Sequence, residues 1–152
     1  HGCMIAYQVS CQGDETAETD RGEAIRLATA VLMADVARAD YDFDEEEFTT
    51  LLDLIQIHFG LSAEDATQLA NEASEVAEDL VSVHEFTSLL HKNLSEDEKA
   101  EVVALLWRIA YADGRLDKYE DSLVLKISDL LYVSRGRVMQ LKHDAQLAAH
   151  AP

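Results

Sequence analysis

Six carboxylates form the pattern in this chain best suited to chemistry. The run Ala-Asp-x-x-(Phe or Leu)-Asp-x-x-Glu occurs twice, giving Asp40, Asp44 and Glu47 in one copy and Asp113, Asp117 and Glu120 in the other. Calcium and magnesium take oxygen ligands, and two or three acids on a short inter-helix turn supply part of a shell that carbonyls and water complete. The same residues also suit a structural task. Asp44 with Glu47, and Asp117 with Glu120, have capping-box spacing, and an Asp in a turn accepts from nearby backbone amides. Both readings stand at this point. An EF-hand does not: Asp40, Asp42 and Asp44 match loop positions one, three and five, but Glu45 stands where Gly is needed, Leu51 where Glu is needed, and the second copy carries Arg115.

Other reactive side chains are poorly placed. His84 and His91 share a helix, but their spacing separates them by roughly 10 Å along its axis, too far to share one metal. His58 and His143 have no partner at i+4 and fit a surface or boundary position. Cys3 and Cys11 lack CxxC spacing and a second pair, so they imply neither zinc nor redox chemistry, and a reducing compartment suits them. There is no Gly-rich phosphate loop, GxSxG elbow or HExxH helix. A binding protein is therefore expected rather than an enzyme, with a carboxylate-dependent hydrolase a distant third reading. Trp107, Tyr111, Tyr119 and Tyr132 fit either an interaction face or core packing. For Trp107, flanked by apolar neighbours, core packing is the better reading.

These residues must be positioned by helices. The one proline is Pro152, Ala, Leu and Glu abound, and no strand pattern competes. Capping boxes at Asp44/Glu47, Ser62/Asp65, Ser82/Glu85, Ser95/Glu98 and Asp117/Glu120 mark five helix starts, and starts near Asp20 and Ser134 bring the total to seven. Phe48, Leu51, Leu52, Ile55 and Phe59 form a one-sided apolar stripe. The helices holding Ile25 to Val36 and Val102 to Ile109 are apolar around more of their circumference and belong at the centre.

Those two central helices are also related by sequence. A shift of 73 positions lays Ala37, Ala39, Asp40, Asp44, Glu47 and Leu52 on Ala110, Ala112, Asp113, Asp117, Glu120 and Leu125. After a one-residue deletion placed at Gly60, Ser62, Gln68, Leu69 and Ala73 match Ser134, Gln140, Leu141 and Ala145. The expected fold is all-α: a compact bundle of about seven helices with an internal pseudo-two-fold repeat, residues 27 to 73 corresponding to 100 to 145. Residues 1–20 are expected to be a flexible N-terminal segment, part of it a cloning remnant, and 21–148 the helical domain.

With 152 residues, 48% hydrophobic and 28% charged, the chain has the composition of one globular domain. Its apolar stretches fall short of the roughly 20 residues that a membrane span needs. A formal net charge of -18 opposes binding to a phosphate backbone, so no nucleic acid is expected as a partner.

The segments LWRIAYADGRLDKYE from Leu106 and ISDLLYVSR from Ile127 resemble the signature of the bacterial TerB-like (tellurite-resistance protein B) family. LATAVLMADVARADYDFDEEE from Leu27 and HEFTSLL from His84 occupy corresponding places, so the resemblance spans residues 22 to 146. It implies a seven-helix fold and no enzymatic activity. Members include stand-alone proteins and a domain of a membrane-anchored DnaJ-like co-chaperone, and the family is associated with tellurite and chemical-stress responses. The resemblance thus implies an interaction or stress-sensing module with a protein partner, compatible with a homodimer, or a metal-free scaffold. Its expected location is cytoplasmic, peripheral to the inner membrane through partners. The expected ligand is a divalent cation, calcium or magnesium, on the duplicated acids.

Overall fold

A computed structural model describes residues 10–39, 45–112 and 118–149, with side chains from residue 20 onward. Among the described residues the secondary structure is helical throughout: α1 (Ser10–Ala37), α2 (Glu45–Phe59), α3 (Ala63–Glu78), α4 (His84–Asn93), α5 (Glu96–Ala110), α6 (Lys118–Leu130) and α7 (Arg135–Ala149). The described residues form an all-α bundle of seven helices. Helix α1 begins at Ser10 rather than near Asp20, because the early turns SCQGDETAET carry neither apolar periodicity nor a recognisable cap to announce them.

Serines start three of the helices. At α5 the box is complete: the Ser95 amide donates to Glu98 Oε1 at 2.8 Å and the Glu98 amide to Ser95 Oγ at 3.2 Å. Ser62 Oγ accepts from the Asp65 amide at 3.1 Å, and Ser134 Oγ from the Arg137 amide at 3.3 Å. The box expected at Ser82 and Glu85 does not form. Val83 is drawn into the core and becomes the N-cap, so the Ser82 hydroxyl accepts from the nearer His84 amide at 3.1 Å.

Helices α1 and α5 pack against each other at the centre of the bundle. Leu32, Met33 and Val36 of α1, and Leu106, Trp107 and Ile109 of α5, are wholly buried. Helix α1 also carries α2, α3 and α4 on its flanks, while α5 carries α6 and α7. Burying side chains of this size is the main favourable term, about 1.5–3 kcal/mol each for a Val, Leu, Ile, Phe or Met.

The repeat is visible in the element boundaries. Helices α1 and α5 end at Ala37 and Ala110, and α2 and α6 begin at Glu45 and Lys118, both pairs 73 residues apart; α3 and α7 begin 72 apart at Ala63 and Arg135. Burial repeats too, with Leu51 and Val124, and Leu54 and Ile127, inward at equivalent places. The halves also exchange contacts, α1 touching α6 and α2 touching α5. In that exchange the charges are reversed: Asp35 of α1 feels Lys126 of α6, while their equivalents Arg108 and Asp53 line one cavity between α5 and α2.

The one-residue offset does not fall at Gly60. Gly60 (φ 64°) and Tyr132 (φ 62°) both adopt the left-handed conformation two residues before the capping serines. The following amides make equivalent bonds, Leu61 N to Gln56 O at 3.0 Å and Val133 N to Ser128 O at 3.1 Å. Both helices thus close in a Schellman-type turn. The missing residue is absorbed within α6, and Tyr132 takes the place of the glycine.

Candidate functional site

Glu47 and Glu120 are each the third residue of their helix, α2 and α6, and each is only 4% exposed. Their spacing explains the burial. Glu47 leads the stripe Leu51, Leu54 and Ile55, and Glu120 leads Val124, Ile127 and Ser128, so both carboxylates lie on the core-facing side at i, i+4, i+7 and i+8. A buried carboxylate is costly unless its charge is met, and the first turn of a helix helps through outward-pointing amides and the positive end of the dipole.

These two acids differ in burial from the acid of the complete box at α5. Glu98, at the same third position of α5, is exposed and reaches back to its own Ser95. Glu47 and Glu120 are buried on the core-facing side of α2 and α6. Asp40, Asp44, Asp113 and Asp117 lie outside the described residues, so of the six acids singled out by sequence the structure places the last of each triplet. Among the described residues no group of three or more His, Cys, Asp or Glu side chains could hold a metal ion. The surroundings of the two acids are unequal. The first turn of α2 is Glu45, Glu46 and Glu47, whereas α6 opens with Lys118 and Tyr119 before Glu120.

The described histidines belong to no group of three or more potential metal ligands. His91 is exposed, and its Nδ1 accepts from the Lys99 ammonium at 2.6 Å while its ring lies against Tyr132 with centroids 4.5 Å apart. Lys99 is 3% exposed, and Glu96 Oε1 stands 3.5 Å from its nitrogen. This cluster compensates a buried ammonium and ties the α4–α5 junction to the end of α6. Sequence reasoning missed it, although Lys99 falls four residues before Val103 on the inward side of α5, a spacing that marks it. His58 is half-buried beside Phe59 and His143 is exposed, the boundary positions expected of them.

The aromatics divide. Trp107 is wholly buried and its Nε1–H donates to the Val138 carbonyl at 3.2 Å, joining α5 to α7, with Lys142 Nζ 5.3 Å from the ring centre. Tyr111 is buried, and Tyr119 and Tyr132 are exposed.

The described helices and the central pair agree with the match of a family model: tellurite resistance protein TerB, over residues 26–143. The chain belongs to the TerB family. No curated protein and no solved structure matches it significantly. The TerB match runs from within α1 to within α7 and so takes in both copies of the acidic run. Among the described residues no helix is long and apolar enough to cross a membrane.

Proposed function

We propose that this TerB-family chain is a non-enzymatic interaction or stress-sensing module that binds a divalent cation, calcium or magnesium, through its two acidic runs. The ligands would be Asp40, Asp44 and Glu47 in one turn and Asp113, Asp117 and Glu120 in the other. The supporting observation is the equal burial of Glu47 and Glu120 where the capping acid Glu98 is exposed. A carboxylate held partly out of water beside a run of aspartates is a preorganised oxygen ligand for a hard cation, and desolvation strengthens its attraction for the ion. Because α2 opens with three acids and α6 with a lysine, the first turn is the stronger site. With a cation bound, the acidic segments between α1 and α2 and between α5 and α6 would be recognised by a protein partner, in the cytoplasm or at the inner membrane through that partner.

A metal-free scaffold is the competing reading, in which the acids only cap helices. Thermal unfolding separates the two. Calcium, magnesium, manganese and zinc are titrated at constant ionic strength against wild type and against Asp40→Asn with Asp113→Asn. At 100 times Kd, binding adds about 2.7 kcal/mol, which for this size of domain raises the melting midpoint by roughly 5–10 °C. If no divalent ion exceeds matched monovalent salt, or the double variant responds like wild type, the acids are structural.

A further inference from the structure

The two halves differ sharply on one face. Between α1 and α3 lies an open groove of about 750 Å³, floored by Leu27, Leu61 and Leu69, all partly buried against the core. Its rim carries Asp20, Glu23, Asp65 and Glu72, with Arg26 the lone cation among the described lining residues. In the second half the equivalents of Ala24 and Asp65 are Asp97 and Arg137, which form an ion pair at 2.9 Å linking α5 to α7. The equivalent of Glu23 is Glu96, which lies 3.5 Å from Lys99, itself the equivalent of Arg26. Duplication thus supplies an internal comparison: where one half crosses this face with an ion pair, the other has a small residue opposite an acid, leaving apolar floor open beneath unbalanced negative charge.

We propose that the α1–α3 groove docks a short, basic, amphipathic helix of a partner protein. The occupant follows from complementarity. Four rim acids call for lysine or arginine, and three leucines call for aliphatic anchors between them. From Asp20 to Leu27 along α1, and from Asp65 to Glu72 along α3, the groove is about 10 Å long, which is two turns of helix and matches anchors at i, i+3, i+4 and i+7. Its volume falls within the roughly 300–1,000 Å³ of ordinary ligand pockets. The overall charge of -18 speeds the approach of a basic segment at low salt. The inference does not rest on the cation reading, since it is argued from residues of α1, of α3 and Leu61 alone.

The test uses a fluorescein-labelled synthetic helix with leucines at i, i+3, i+4 and i+7 and lysines at flanking positions. Its twin carries glutamates in place of the lysines. Anisotropy is read with the full chain in EDTA at fixed ionic strength. The lysine peptide binds and the glutamate peptide does not. Ala24→Asp with Asp65→Arg, which transplants the ion pair of the other half, weakens binding at least about tenfold. Glu23→Gln with Glu72→Gln, a milder change that retains helix-forming residues, weakens it by a smaller factor. Glu101→Gln, which alters charge on α5 outside the groove, has no effect. Circular dichroism confirms that each variant is folded. Three results overturn the proposal: no binding of the lysine peptide up to about 1 mM, equal loss in Glu101→Gln and the groove variants, or self-association of the wild type that the groove variants abolish and the peptide does not compete with.

Discussion

Asp35 shows how a single side chain reflects its place in the bundle. It is half-buried on α1, and burial raises its carboxyl above the ordinary value of 3.8, while Lys126 and Arg38 pull it back only in part. A raised folded value means that the group favours the fold in its protonated form: the favourable contribution is present below the ordinary carboxylate value and is lost as pH rises through the raised one. At neutral pH the charged Asp35 therefore weakens the native state. Asp35→Asn is expected to raise the melting midpoint at pH 7, with the advantage over wild type shrinking as pH falls towards about 4. A lower midpoint at pH 7 would mean that attraction to Lys126 outweighs desolvation. Trp107 gives a second check at this scale. Trp107→Phe removes the hydrogen bond to Val138 and part of a wholly buried ring. Chemical denaturation should show a loss of about 1–3 kcal/mol, combining a hydrogen bond of about 1 kcal/mol with a partly filled cavity.

The boundaries of the elements were legible wherever a serine caps a helix. Ser62, Ser95 and Ser134 each accept the expected amide, since a hydroxyl satisfying an orphan N–H acts over three residues and needs no tertiary information. Ser82 failed because burial of Val83, a tertiary effect, moved the cap by one residue. Glu47 and Glu120 were legible as helix-start acids but not as buried ones, because the capping pattern and the core stripe coincide at that position and spacing alone does not say which wins. The offset between halves was misplaced at Gly60 for a related reason: a glycine invites a deletion in an alignment, yet the backbone needs a left-handed residue there in both halves, and Tyr132 supplies it. Gly60→Ala tests that requirement cleanly. A Cβ at Gly60 would meet nothing within 4 Å, so the substitution acts only through φ and should cost about 1–2 kcal/mol in a denaturant titration. Tyr132→Gly relieves the same strain but gives up the ring contact with His91, so its net effect should be smaller.

At the scale of the whole molecule, the question is whether the two halves are independent units or one. The architecture argues for one. The two helices that bury the most, α1 and α5, cover each other, so either half alone would expose the face that the other now shields. The exchange of α1 with α6 and α2 with α5 adds a second set of contacts that neither half can make by itself. Leu32 and Leu105 occupy equivalent positions in the repeat, at 0% and 8% exposure, and offer a matched pair of probes. Truncation of a buried leucine to alanine costs about 2–5 kcal/mol, the larger values where the surroundings cannot collapse into the space. If the bundle is one cooperative unit, Leu32→Ala and Leu105→Ala will each lower the same single calorimetric transition, with calorimetric and van't Hoff enthalpies in agreement. The effect should be larger at Leu32, which has no residual exposure through which water could fill the gap. Independent halves would behave differently: each substitution would shift one of two transitions and leave the other in place. Two resolved transitions would also mean that the exchanged contacts between α1 and α6, and between α2 and α5, contribute little to stability. The opposite charges of Asp35 and Lys126, and of Arg108 and Asp53 across their shared cavity, would then carry no energetic consequence.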